Sequence, residues 1–225
     1  MRNKRIKFSC VFTMLVFLVQ QVGFGQIEGS SKRPNESSRS RKLFDGKSLN
    51  GWKVTNFGGE GECSVSGGVI VVESGYPMSG LTYTGKKLPR VNYEIVLEAR
   101  RTQGDDFFCG LTFRVNESLC TFVVGGWGGG VTGLSCIDER DASSNDTRRV
   151  VRYELNHWYR IRLRVEAERI QAWIDDKQLV DKDIKGCKIS LRNETLPSRP
   201  LGLSNFQTES EFKNIEIRLL SDHER

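Results

Sequence analysis

The stretch GGWGGGVTGLSCIDERD, Gly125 to Asp141, holds the densest set of residues suited to chemistry. Gly128, Gly130 and Gly133 stand at the G-x-G-x-x-G spacing, which lets a backbone approach a pyrophosphate resting on the N-terminus of a following helix. The apolar, β-branched residues 119–124 supply the strand that should precede such a loop. The residues after it, Leu134-Ser-Cys-Ile-Asp138, are too short and too β-prone for the helix, and no Walker lysine with Ser or Thr follows. Nucleotide binding is therefore excluded, and the glycines predict a wide turn between two antiparallel strands. Trp127, flanked by those glycines, has two readings: a platform on which a sugar ring stacks, or a core tryptophan wedged under the turn. Asp105, Asp106 and Asp141 are oxygen donors of the type that holds a hard divalent metal ion, or else solvated loop residues. His157 and His223 are the only histidines, so His157 is the one imidazole within the main body of the chain.

The elements that position these residues read as strands. Residues 91–99 alternate, with Val91, Tyr93, Ile95, Leu97 and Ala99 on one face. Residues 158–165 set Tyr159, Ile161, Leu163 and Val165 against Arg160, Arg162 and Arg164; that arginine row reads as the solvated side of a half-buried strand rather than an anion site. Further period-two runs occur at 169–174, 178–181 and 212–219, separated by Gly, Asn and Asp turns, and no segment keeps a helical period over three turns. The predicted fold class is all-β: two antiparallel sheets packed as a jelly-roll sandwich.

Residues 1–25 read as a signal peptide, with Arg2, Lys4, Arg5 and Lys7 ahead of an apolar run and Gly23 and Gly25 before the cleavage point. The run is shorter than the ~20 residues a spanning helix needs, so no stable membrane span is expected and the chain is read as exported, periplasmic or extracellular. Residues 26–42 read as a flexible leader, 43–220 as one domain and 221–225 as a frayed tail. The whole chain carries +6 from 34 basic and 28 acidic residues. Removing the four basic signal residues leaves 30 against 28, a net of +2, which gives no argument for nucleic acid. Cys63, Cys109, Cys120, Cys136 and Cys187 survive cleavage; an odd number leaves at least one thiol unpaired, and with no C-x-x-C neither zinc nor a redox motif is supported. The sequons at Asn35, Asn116, Asn145 and Asn193 read as turn chemistry.

LFDGKSLNGWKV (residues 43–54) resembles the N-terminal signature of the bacterial 3-keto-disaccharide hydrolase family. In order along the chain, GGVIVVES, VNYEIVLEAR, GLTFRV, GLSCID, NHWYRIRLRVEAERIQAWIDDKQLVD and RPLGLSNFQTESEFKNIEIRLL are similar to further segments of that family. The resemblance implies a concanavalin A-like lectin/glucanase fold and a carbohydrate partner, an oxidised glycoside or glycan. It also implies a reaction in which a C3 ketone acidifies the C2 hydrogen, a base removes it, the C1 substituent is expelled and water adds. It places Arg114 on the family's strand arginine, as the partner of the enolate oxygen, and Asp138 on its strand-ending aspartate, as base or metal ligand. His157 is then a candidate acid, and Trp127 with Asp141 the substrate-binding residues. Each of these has a plainer alternative: a turn aspartate for Asp138, a surface arginine for Arg114 and the polar start of a strand for His157. Many members carry a histidine after the G-x-I-x-L-Q strand, where this chain has Ser204-Asn205-Phe206. That departure keeps a second function in view, a non-catalytic carbohydrate-binding jelly roll.

Overall fold

The structure is a computed structural model that describes residues 40–221 and Glu224. The signal-peptide reading, most of the leader reading, Asn35 and His223 lie outside the described residues. Fifteen strands are numbered β1–β15 in chain order. The first sheet orders β13 (Lys177–Asp183), β12 (Arg169–Ile174), β11 (Tyr159–Val165), β6 (Tyr93–Gln103), β15 (Glu209–Leu219), β4 (Val69–Val72) and β3 (Cys63–Ser66). The short β1 (Ser40–Lys42) also pairs with β15, so the last three residues of the expected leader form a strand instead. The second sheet orders β10 (Arg149–Val150), β9 (Val131–Ser135), β8 (Ser118–Gly125), β7 (Cys109–Val115), β14 (Gly202–Phe206), β5 (Met78–Tyr83) and β2 (Trp52–Val54). All of these pairings are antiparallel.

The two-residue period explains the core. Ile95 and Leu97 of β6 with Ile161 and Leu163 of β11 face Leu111, Phe113, Phe122 and Leu203 of the second sheet, and all eight are buried. Each such side chain contributes about 1.5–3 kcal/mol by leaving water. LFDGKSLNGW forms the entry turn: the Asp45 carboxylate accepts the backbone N–H groups of Lys47 and Ser48, and Trp52 Nε1 donates to the Leu43 carbonyl at 2.8 Å.

The outer face of the first sheet absorbs the arginine row. Arg162 and Arg164, joined by Arg218 from β15, converge on the buried carboxylate of Glu94, and Arg162 also stacks 3.7 Å over Trp173. Arg160 is exposed. The row is therefore a structural ion-pair lattice. The five cysteines among the described residues are free, and burial raises the thiol of Cys63 to about 11 and of Cys120 to about 12. Asn145 is buried and uses its side chain to close a turn, accepting from Thr147 and donating to the carbonyls of Leu134 and Arg140. Among the described residues no helix is long and apolar enough to cross a membrane.

Candidate functional site

The outer face of the second sheet is set by alternation. Leu111 and Phe113 of β7 point into the core, so Gly110, Thr112 and Arg114 point out. On β8 the outward positions are Leu119, Thr121 and Val123, and the Thr112 and Thr121 hydroxyls bond across the strands at 3.0 Å. A strap crosses this face, a 3-10 turn over Asn193–Ser198. It is pinned where the Thr82 hydroxyl donates to the Pro197 carbonyl, and a side chain at Gly202 would collide with Ser198, so the sheet there must carry glycine.

The glycine stretch is the predicted turn between β8 and β9. Its one helix-like turn, Gly126–Gly129, has left-handed dihedrals at Trp127 (φ 51, ψ 59) and Gly128 (φ 78, ψ 31). Glycine is needed at 128 for that backbone, while a side chain at 129 would meet the Asp105 carbonyl at 2.7 Å. A tryptophan with positive φ is costly and persists only when its surroundings hold it. Asp106 supplies the hold. Its Oδ1 accepts the Trp127 N–H at 3.1 Å and its Oδ2 accepts the Gly128 N–H at 3.0 Å, while the Phe107 N–H also bonds Oδ1 at 2.7 Å.

Between this turn and the strap lies a cleft of about 260 Å³. Phe107, Phe206, Met78 and Val123 give it apolar walls, Thr121 and Ser135 its hydroxyl floor, and Arg192 with Glu194 a charged end. Trp127, 40% exposed, lines the same cleft. Arg192 is fixed from two sides: Nη1 donates to Asp141 at 2.6 Å and Nη2 to Glu194 at 2.9 Å. The Arg192 hydrogen bond holds the Glu194 carboxyl below the usual range. For Asp141 burial pushes the other way, but hydrogen bonds from Ser143 and Ser144 and the Arg192 charge outweigh it, and its carboxyl is also lowered.

The expected site residues do not all gather here. Trp127 stands on the cleft wall and not in the core. Asp141 lies behind the cleft and reaches it only through Arg192. Asp138 does not end a strand beside the glycines. It sits past the far end of β9 in the turn 137–140, exposed from Asp138 on, with φ 49, where its carboxylate accepts the Lys188 N–H at 2.8 Å. A turn aspartate committed to a backbone donor is not placed to take a substrate proton in this cleft. Arg114 points outward as expected but lines a different cavity on the other side of the strap. His157 is exposed on the loop before β11, packs its ring 4.6 Å from that of Tyr159, and does not line the cleft.

Asp105, Asp106 and Asp141 do not come together as one ligand set. Asp106 is occupied by three backbone donors and Asp141 by two serines and Arg192, and no group of three potential metal ligands occurs among the described residues. Arg192 and Glu194 were missed because they sit in an irregular strap with no period. The only local signal is an Arg-x-Glu pair three residues ahead of a proline.

Residues 39–218 match the sequence profile of the 3-keto-alpha-glucoside-1,2-lyase-like domain. No curated protein matches the chain. Among solved structures, the Crh5 transglycosylase in complex with NAG aligns with a TM-score of 0.55 at 11% identity, over 81% of this chain and 83% of that one. The carbohydrate binding module CBM66 from Bacillus subtilis aligns with a TM-score of 0.51 at 14% identity, over 75% and 95%. A glycosyl hydrolase family protein from Mycobacterium fortuitum aligns with a TM-score of 0.50 at 10% identity, over 80% and 97%. At these identities the likeness is one of fold, the concanavalin A-like sandwich.

Proposed function

The chain belongs to the 3-keto-alpha-glucoside-1,2-lyase-like domain family, and from that premise we propose that it is an exported enzyme cleaving 3-keto-glycosides in the Trp127 cleft. The observation that carries this reading is the Arg192–Glu194 pair, a fixed cation and an ionised carboxylate, in the same cleft as an exposed aromatic ring. Trp127 stacks on the sugar ring. Arg192 hydrogen-bonds the C3 oxygen and stabilises the negative charge that grows there. Glu194 takes the C2 proton, and the enolate forms across C2 and C3. The electron pair then moves to the C1–C2 bond as the C3 carbonyl re-forms and the C1 oxygen substituent leaves with the proton from Glu194. Water adds at C1 and a proton returns to C2, which gives the free 3-keto sugar. Asp141 acts by positioning Arg192.

The test is incubation of the protein with 3-keto-trehalose, with and without added divalent metal. Release of 3-keto-glucose is expected, and Glu194→Gln should lower it about a hundredfold or more, the scale of losing a positioned base. No release by the unaltered protein would sink the enzymatic reading.

A second reading, a carbohydrate-binding module without catalysis, is favoured by two observations. The strand that carries Ser204-Asn205-Phe206 brings no histidine to the cleft, and Glu194 is tied to Arg192. Titration of neutral and oxidised disaccharides that gives binding and no product would select it.

A further inference from the structure

On the other side of the strap, the outer face of the second sheet carries a cavity of about 360 Å³. Five of its eleven lining residues are cationic, Lys53, Lys86, Lys87, Arg114 and Arg199, and none is acidic. The ion pairs of the described residues use none of these five. Arg199 donates Nε to the Leu196 carbonyl, and the buried Nε of the half-buried Arg114 has no partner. Like charges gathered around one cavity without counter-charges repel, while a bound anion is attracted by all of them. The contrast with the first sheet is direct: there three arginines share the buried Glu94.

We propose that this cavity is an anion subsite that receives the carboxylate or sulfate group of an acidic saccharide, with Arg114 as the fork at its floor and Lys86 and Lys87 at its rim. The choice of a saccharide over other anions rests on reading the Trp127 cleft as a sugar site. Both lie on one sheet face. Arg114 is two residues along β7 from Thr112, whose hydroxyl bonds Thr121 in the cleft floor, a step of about 7 Å along the strand. Thr195 and Arg199, four residues apart, line the cleft and the basic cavity respectively. A chain of sugars lying across the strap would meet both, so the cavity selects what the remote end of the ligand carries.

The test titrates the full chain with α-1,4-trigalacturonate, the neutral galactotriose of the same linkage and a sulfated galactotriose, and with inorganic sulfate, a DNA duplex and phosphatidylserine vesicles. At least one acidic trisaccharide should bind about tenfold or more tightly than the neutral one, the scale of a hydrogen bond to a charged group. The preferred acidic form identifies the group. Lys86→Ala/Lys87→Ala, an exposed pair, and Arg114→Gln should each reduce that preference and its salt dependence. Trp127→Ala should weaken acidic and neutral forms alike and leave the ratio. No acidic preference, a preference that survives both sets of variants, or tighter binding of sulfate alone, DNA or vesicles overturns the proposal. A preserved acidic preference with no effect of Trp127→Ala on any saccharide leaves the anion subsite standing and removes the sugar reading of the cleft.

Discussion

The Asp106 carboxylate bridges the backbone of Trp127 and its successor, accepting the N–H of Trp127 on one oxygen and that of Gly128 on the other. An acidic residue near a glycine turn thus acts as a clamp for the ring, and the left-handed tryptophan is its consequence. Asp106→Asn leaves one acceptor oxygen and turns an amide donor toward a backbone donor. The clamp loss should cost about 0.5–1.5 kcal/mol of stability, the net worth of a hydrogen bond whose exposed N–H donors regain water. Calorimetric melting should show the loss, and sugar affinity should fall with it; an unchanged Tm with unchanged affinity would remove Asp106 from the loop's support.

Trp127 is 40% exposed on the cleft wall, so its replacement leaves no closed cavity in the core. Trp127→Ala should weaken sugar binding by about 1–3 kcal/mol, the scale of an aromatic contact at a binding hot spot, with little change in melting. A loss of about 3–5 kcal/mol in stability would instead mark a core residue. Paired titration and melting of this one variant separates the two.

Asp141 and Glu194 both have carboxyls held below their usual values in the folded protein. A depressed folded pKa adds stability above the unfolded value of about 4, and that stability is lost as the pH falls through the folded pKa. The charged end of the cleft should therefore loosen only on the acid side of about pH 4, with no change between pH 6 and 8 from these groups. In Arg192→Gln both carboxyls should titrate at higher pH, which carbon-detected NMR can follow. Unmoved titrations would mean that Arg192 does not reach them in solution.

Glu94 is 6% exposed and faces Arg162, Arg164 and Arg218. Glu94→Gln removes the shared counter-charge and leaves three arginines together, at a cost of about 1–3 kcal/mol given their partial exposure. Urea unfolding measures it. Sugar binding should stay as it was, because this lattice lies on the other sheet.

Cys109 and Cys120 are fully buried, and burial raises both thiols well above the usual cysteine range. Neither should react with a thiol reagent at pH 7 until the protein is unfolded, when all the cysteines should react. Rapid native-state labelling of either would contradict the packing.

The sequence by itself determined the sandwich. Alternation at Tyr93, Ile95, Leu97 and Ala99, and again at Tyr159, Ile161, Leu163 and Val165, is a local property that fixes which face of each strand is buried, and both runs are buried as written. It also fixed that the glycines form a turn and not a nucleotide loop, because no helix could follow them. The site needed the tertiary structure. Asp138 and Trp127 are close in the chain, but β9 extends between them and carries the aspartate past the far end of the cleft. Arg114 was correctly placed on an outward face, yet only the strap from Asn193 to Ser198 decided which of two cavities on that face it enters. Arg192 and Glu194 come to Trp127 from the other end of the sequence on that same irregular strap. Periodicity encodes the faces of regular strands; it carries no information about where an aperiodic segment crosses them, and here that crossing makes the cleft.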